Sequence, residues 1–158
     1  MDLRVRQAVS ADRQTLADFN VLLAAESEGL RLEPASVLAG VDALLKDPTK
    51  GTYFVAEING AAAGQTMLTY EWSDWRNGNL WWIQSVYVKP EFRGRGVFRR
   101  LFEHVHALAA QQRDVPALRL YVHRGNTRAQ RSYEKLGMSR TQYEIFELDL
   151  QGHPGGAG

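Results

Sequence analysis

The spacing of apolar residues predicts strands and helices in alternation. Leu3 and Val5 alternate with arginines, as in a strand with one buried face, whereas Leu16, Phe19 and Leu23 recur at the three- and four-residue spacing of a helix. A second helix is predicted after Pro34, and further helices over residues 98–112 and around Tyr133. The remaining alternating stretches predict strands over residues 53–58, 61–71, 80–88, 118–123 and 143–150.

Turn residues give the order of these strands in a sheet. Asn59-Gly60 and Asn77-Gly78 are typical of tight hairpins, so the strands on either side are expected to be antiparallel. The strands at 80–88 and 118–123 are joined through a helix, which requires them to be parallel. We therefore predict an α/β (α+β) fold with a mixed sheet and helices on both faces. A single domain is expected over residues 1–150, followed by a disordered tail at 151–158.

Composition excludes several classes of protein. The net charge of +1 argues against a nucleic-acid-binding protein, which usually carries a strong basic excess. The chain has no cysteine, and its four histidines are scattered, so no metal site is expected. The start of the chain lacks the pattern of a signal peptide, and no apolar run has membrane-spanning length. A cytoplasmic protein without membrane contact is the expectation.

The segment that carries most chemical information joins the strand at 80–88 to the following helix. It reads Arg93-Gly94-Arg95-Gly96-Val97-Phe98. Glycines allow close approach of a ligand to the backbone, and the N–H groups that open a helix have no partner within it. Together with the arginines, these features are typical of a phosphate-binding loop. A Walker loop would need Lys-Ser/Thr after the last glycine, and the dinucleotide fingerprint would need a glycine at Arg99, so neither fits.

The loop resembles the phosphate loop of the GCN5-related N-acetyltransferases, the GNAT superfamily, whose pattern is Gln/Arg-x-x-Gly-x-Gly/Ala. Arg93, Gly94 and Gly96 agree with the family, whereas Phe98 stands where the family has Gly or Ala. A second segment, from Asn126 to Met138, resembles the family's Asn-x-x-Ala-x-x-x-Tyr-x-x-x-Gly-Phe element, with its tyrosine at Tyr133. The resemblance covers the chain from about residue 3 to residue 150.

Membership would imply a splayed sheet that binds acetyl-coenzyme A, and acetyl transfer from its thioester to an amine. Tyr133 would protonate the leaving thiolate, and Asn126 would orient the cofactor arm or an ordered water. A strand N–H near Val86, Tyr87 or Val88 would stabilise the oxyanion. The residues implied to bind the cofactor are Val86, Tyr87, Val88, Arg93, Gly94, Arg95, Gly96, Val97, Phe98, Arg99, Asn126 and Tyr133. The helical periodicity also predicts that Phe98 packs in the core, with its N–H directed at the ligand.

The sequence does not single out one residue as the general base. Some family members carry a glutamate on the strand before the loop, but here that strand has Gln84 and no carboxylate. Glu71 and Asp74 could act directly or through water, or they could be solvated turn residues. The acceptor site is predicted to lie on the strand at 80–88, the strand before it and the turn between them. Its side chains are acidic, aromatic and amide: Glu71, Trp72, Asp74, Trp82 and Gln84.

The aromatic hairpin over residues 71–76 has a second interpretation as the contact surface of a homodimer, because exposed aromatic patches often mark interfaces. The predicted function is acetyl-CoA-dependent acetylation of a primary amine on a small molecule or peptide. A coenzyme A-sensing module without turnover is the alternative, supported by Phe98 and by the missing strand glutamate.

Overall fold

Residues 1–152 are described by the computed structural model, in which five strands form one sheet in the order β1-β2-β3-β4-β5. The strands are β1 (Leu3–Gln7), β2 (Thr52–Ile58), β3 (Ala61–Ser73), β4 (Gly78–Val88) and β5 (Leu118–Arg119). The helices are α1 (Arg13–Glu28), α2 (Pro34–Lys46), α3 (Val97–Ala110) and α4 (Thr127–Lys135). Residues 153–158, most of the predicted disordered tail, lie outside the described range.

The directions of the strands confirm the predicted mixed sheet. β1 to β4 are antiparallel neighbours, and β4 and β5 are parallel. Asn59 and Gly60 have φ of 51° and 82°, and Asn77 has φ of 50°, the left-handed backbone that tight hairpin turns require. The predicted hairpins and the parallel β4-α3-β5 unit are therefore both present.

The helices cover both faces of the sheet, as predicted. Along β2, Phe54, Ala56 and Ile58 face a core cluster shared with Val97, Leu101 and Val105 of α3. The intervening residues Tyr53 and Val55 face the opposite cluster, which contains side chains from α1 and α2. Because alternate side chains of a strand point to opposite faces, one apolar strand supplies both layers.

A bulge interrupts β4 near its end. Gln65 pairs with Tyr87 while Met67 pairs with Gln84, so β4 has one more residue than β3 between these pairs. Ser85, within the bulge, has φ of 51°, which is uncommon for a residue with a side chain. The carbonyl of Ser85 accepts a hydrogen bond from the Gln65 side chain at 3.1 Å, which holds the bulge from the buried side.

Two strand predictions need correction. β5 ends at Arg119 rather than at residue 123, because the chain beyond it moves away from β4. Residues 143–150 form no strand, and their apolar side chains are exposed. Their alternating pattern favours extended backbone, but a strand also requires a hydrogen-bonded neighbour, and they pair with no strand among residues 1–152.

Candidate functional site

A cavity of about 980 Å³ opens where β4 and β5 separate. The two strands pair only at Trp81 with Leu118 and at Trp82 with Arg119, after which they diverge. Residues 83–88 of β4 form one wall of the cavity, and residues 120–123 form another. The loop before α3, one face of α4, and residues of α1 and α2 also line the cavity. This volume is in the range of small-molecule and cofactor sites.

The glycine loop presents a run of unpaired N–H groups to this cavity. Gly94 and Gly96 have φ of 75° and 79°, and a Cβ added at either would meet no protein atom within 4 Å. The first N–H after the loop that bonds within the chain belongs to Arg100, which donates to the Gly96 carbonyl. Within residues 1–152, the N–H groups from Gly94 to Arg99 donate to no other residue. Such a run at the positive end of a helix is suited to an anion.

The arginine side chains of the loop are largely engaged by the protein. Arg93 donates to the Val88 carbonyl at 2.9 Å and pairs with Glu26 at 2.6 Å, so its guanidinium ties the loop to α1. Arg99 bonds Glu103 at 2.8 Å, and Arg95 lies over the Phe92 ring and does not line the cavity. Arg93 and Arg99 line the cavity, but the backbone N–H groups of this loop are the donors that the protein leaves free for a ligand.

Cationic side chains that the sequence analysis did not single out lie on the α4 side of the cavity. Arg128 and Lys135 of α4 line it. A lysine or arginine on a short polar helix carries no signal by itself. Only the placement of α4 opposite the glycine loop brings these charges to the site.

Phe98 does not pack in the core, which corrects that prediction. At this turn of α3 the buried residues are Val97 and Leu101, and Phe98 is half-buried. Its ring lines the cavity and contacts the Tyr133 ring edge to face, with centroids 5.6 Å apart. The core stripe starts one residue earlier than predicted, because Gly96 ends the loop and Val97 is the first helical residue.

Tyr133 lies on α4 across the cavity from β4. Burial raises the pKa of its phenol above the usual value, so the hydroxyl stays protonated in neutral solution. No residue in the described range forms a hydrogen bond with this hydroxyl, and the side chain lines the cavity. The phenol is therefore a neutral proton donor whose partner would have to be a ligand or water.

Asn126 begins α4, as its pattern predicted. Its side-chain oxygen accepts a hydrogen bond from the Ala129 N–H at 3.1 Å, which caps the helix. Gln130 also donates to the carbonyls of His123 and Arg124, at 3.3 and 3.0 Å. Because Asn126 lines the cavity, its side-chain NH₂ is the part free to meet a ligand.

A buried polar network supports the β4 wall. Gln65 is fully buried and donates to Asn20 at 2.8 Å as well as to the Ser85 carbonyl. Asn20 in turn donates to the Tyr53 hydroxyl at 2.9 Å. Burial raises the pKa of that hydroxyl, so it stays neutral. Thr66 bonds the Gln84 carbonyl at 3.2 Å. The backbone that leads into residues 86–88 is thus fixed from behind by side chains.

The predicted acceptor residues divide between two neighbouring cavities. Gln84 lines the large cavity, whereas Glu71, Trp72 and Asp74 line a smaller one of about 220 Å³ beside Arg119. Trp82 lies between them: its indole N–H donates to Glu71 at 3.1 Å, and its ring centroid is 6.1 Å from that of Tyr121, which lines the large cavity.

Glu71 is held in place by two donors. Its Oε1 accepts from Trp82 and lies 3.4 Å from the guanidinium of Arg119. Both contacts orient this side chain, which lines the small cavity.

Helix α1 contributes a carboxylate that the sequence analysis missed. Glu26 lines the large cavity, pairs with Arg93, and accepts a long hydrogen bond of 3.4 Å from the Tyr87 hydroxyl. Burial, followed by the nearby Glu26 charge, raises the pKa of Tyr87. Glu26 is far from both motifs in the sequence, so no local pattern could have placed it here.

Two further properties of the described part of the chain bear on the site. No cluster of three or more His, Cys, Asp or Glu side chains within residues 1–152 could hold a metal ion. Over the same range, none of the helices has both the length and the apolar character needed to cross a membrane.

Comparison with known proteins identifies the family to which this fold and its glycine loop belong. The model of the acetyltransferase (GNAT) family matches residues 19–138. The chain belongs to this family, which confirms the resemblance of the two motifs.

Several individual proteins also resemble this chain. A possible acetyltransferase from Clostridium difficile 630 has a solved structure with 41% identity and a TM-score of 0.89, covering 94% of this chain and 98% of that one. A predicted acetyltransferase from Clostridium acetobutylicum, solved with acetyl-CoA, shares the fold at 18% identity and a TM-score of 0.76, over 96% of this chain and 100% of that one. Thialysine N-epsilon-acetyltransferase from Bos taurus is 34% identical over 74 residues, which span 47% of this chain and 42% of the relative.

Proposed function

We propose that this protein is an acetyl-CoA-dependent N-acetyltransferase that transfers the acetyl group directly to a primary amine of a small molecule or peptide. The run of unpaired N–H groups from Gly94 to Arg99, opening α3 onto the cavity, carries the proposal. Family membership supports acetyl transfer, and the comparisons do not favour the non-catalytic alternative.

The volume of the cavity and the unpaired N–H groups at its glycine loop support coenzyme A as the ligand. The pyrophosphate would lie on the N–H groups of Gly94 to Arg99, with Arg128 and Lys135 adding positive charge from α4. The pantetheine arm would lie in the gap between β4 and residues 120–123. There it would meet backbone groups of Val86, Tyr87 and Val88 in the manner of an added strand.

The reaction requires the chain to position an amine, stabilise an oxyanion and supply a proton. Bound acetyl-CoA contributes the thioester, whose carbon–sulfur bond breaks as the amine nitrogen bonds to the carbonyl carbon. A β4 N–H near Val86 would stabilise the oxyanion, since Gln65 and Thr66 hold this backbone rigidly. Tyr133 would give its proton to the leaving thiolate, and the proton lost by the amine would pass to a base or to water.

The acceptor side favours a cationic amine. Glu71 and Asp74 supply negative charge in the small cavity, and the Trp72 and Trp82 side chains lie beside them. The Bos taurus relative is named for acetylation of the terminal amine of thialysine, which is consistent with a primary amine on an aliphatic chain. We infer that Glu71 binds the protonated amine before a proton is lost, and that Gln84 meets the acceptor from the large cavity.

Thiol release from acetyl-CoA would test the proposal, measured across a panel of diamines, amino acids, peptide N-termini and aminoglycosides. At least one amine should accelerate release well above the rate without amine, and calorimetry should show coenzyme A binding. Binding without release for any amine would favour the non-catalytic alternative. Absence of coenzyme A binding would overturn the proposal as a whole.

A further inference from the structure

Phe98 is the residue at which the glycine loop departs from the family pattern, and its side chain reaches across to α4. A glycine or alanine at this position would carry at most a methyl group. The Phe98 ring instead meets the Tyr133 ring edge to face, with centroids 5.6 Å apart and an angle of 63° between the rings. With both rings in place, the cavity that they line still has a volume of about 980 Å³. The departure therefore adds a contact to the site without closing it.

Helix α4 is held against the rest of the protein by side-chain packing rather than by hydrogen bonds. None of its residues is fully buried. Within residues 1–152, every hydrogen bond of residues 126–136 joins two residues between 123 and 140. A helix of nine residues is only marginally stable by itself. The contacts of its half-buried side chains therefore determine where α4 lies.

The orientation of the Tyr133 ring depends on its aromatic neighbour. No residue in the described range forms a hydrogen bond with the phenol hydroxyl, so no polar contact there fixes its direction. In the same part of the chain, Phe98 supplies the one ring that contacts Tyr133. Edge-to-face pairs have a preferred geometry, because the positive edge of one ring meets the negative face of the other. The contact can thus hold the phenol in one direction.

The Phe98 ring is itself fixed by helix α3. It contacts Phe102 one turn later, with ring centroids 6.4 Å apart, and Phe102 packs on the core cluster. Val97 and Leu101, on either side of this turn, are buried in the core. Phe98 is therefore attached to the firmly packed side of the cavity, and Tyr133 to the less firmly packed side.

We propose that Phe98 is a positioning residue, whose ring holds Tyr133 and α4 in the place from which the phenol reaches the leaving thiolate. The inference rests on the proposed function, in which Tyr133 is the proton donor. Phe98 exchanges no proton. The proton moves from the phenol oxygen to the sulfur as the carbon–sulfur bond breaks, and solvent then returns a proton to the phenolate.

Hydrogen exchange of the free protein tests the positioning without any turnover. Phe98→Ala keeps the backbone N–H but removes the ring, so the amides of residues 127–135 should exchange about threefold faster or more. Phe102→Ala is the matched control, because Phe102 is also half-buried on α3 but neither lines the cavity nor contacts Tyr133. It should leave the exchange of α4 unchanged. Equal exchange of α4 in Phe98→Ala and the wild type would overturn the proposal.

A double-mutant cycle at saturating acetyl-CoA tests whether Phe98 acts through Tyr133. Phe98→Ala should lower kcat by about three- to tenfold, with little change in KM for the amine. In the Tyr133→Phe background the same substitution should leave kcat nearly unaltered, because the hydroxyl that Phe98 positions is already absent. An equal fall in both backgrounds would overturn the proposal, since Phe98 would then affect the rate by another route.

Two further measurements separate the possible failures. Phe98→Leu keeps most of the apolar volume and replaces Phe98→Ala in both experiments if circular dichroism shows that the alanine variant does not fold. Absence of thiol release from the wild type with every amine would contradict the proposed function. Hydrogen exchange would then still show whether Phe98 holds α4, because that measurement requires no acceptor.

Discussion

Replacing Tyr133 by phenylalanine tests the proposed proton donor while leaving its surroundings intact. The ring keeps its contact with Phe98, and the hydroxyl that is lost has no hydrogen-bond partner in the described chain. We therefore expect the free energy of unfolding to change by less than about 1 kcal/mol. Coenzyme A affinity should change little, because the proposed pyrophosphate site consists of backbone N–H groups at the start of α3.

The rate of acetyl transfer should respond strongly to the same change. Loss of general acid catalysis costs about 10²-fold or more, so the kcat of Tyr133→Phe should fall by at least that factor, or about 2.7 kcal/mol in barrier. Burial raises the Tyr133 pKa, so the protonated donor persists above the ordinary phenol range. At alkaline pH, the wild-type rate should therefore fall only as the pH rises through that elevated pKa. The rate of the variant should not show this alkaline decrease.

Steady-state kinetics with an amine from the panel would measure the effect. Tyr121→Phe is the matched control, because Tyr121 also lines the cavity but its ring is exposed and lies beside Trp82. It should retain nearly full kcat. An unaltered kcat in Tyr133→Phe would refute the assigned role, and a change confined to KM would make Tyr133 an acceptor-binding residue instead.

Three further substitutions probe the phosphate loop, the buried network and the acceptor site. Gly96→Val should lower coenzyme A affinity at least about tenfold in calorimetry, whereas Gly60→Val, equally left-handed and open, should cost similar stability without affecting binding. Gln65→Met leaves two partly buried acceptors, Asn20 Oδ1 and the Ser85 carbonyl, without this donor and removes one buried oxygen that has no partner, so calorimetric unfolding should show a loss of about 1–3 kcal/mol. The exposed change Gln14→Met should show none. Glu71→Gln should raise KM for a cationic amine with coenzyme A affinity unchanged; equal KM would exclude Glu71 from the acceptor site.

Local sequence determined the elements of this protein because their signals are short-range. The hairpins follow from Asn59-Gly60 and Asn77-Gly78, in which Asn59, Gly60 and Asn77 have left-handed φ. The position of the loop follows from Gly94 and Gly96, and that of α4 from its Asn126 cap. Each signal acts within a few residues, so it could be interpreted without the rest of the chain.

Only the tertiary structure decided which groups meet. Glu26 reaches the cavity from α1 because the sheet brings that helix beside the loop, and Phe98 faces Tyr133 because α4 packs there rather than over the core. Residues 143–150 show the same limit most clearly. Their alternating pattern predicted a strand, but a strand forms only where a neighbouring strand supplies hydrogen bonds, and no strand among residues 1–152 pairs with them. The spacing of apolar residues determines which secondary-structure element a segment can form, and long-range contacts decide whether that element forms.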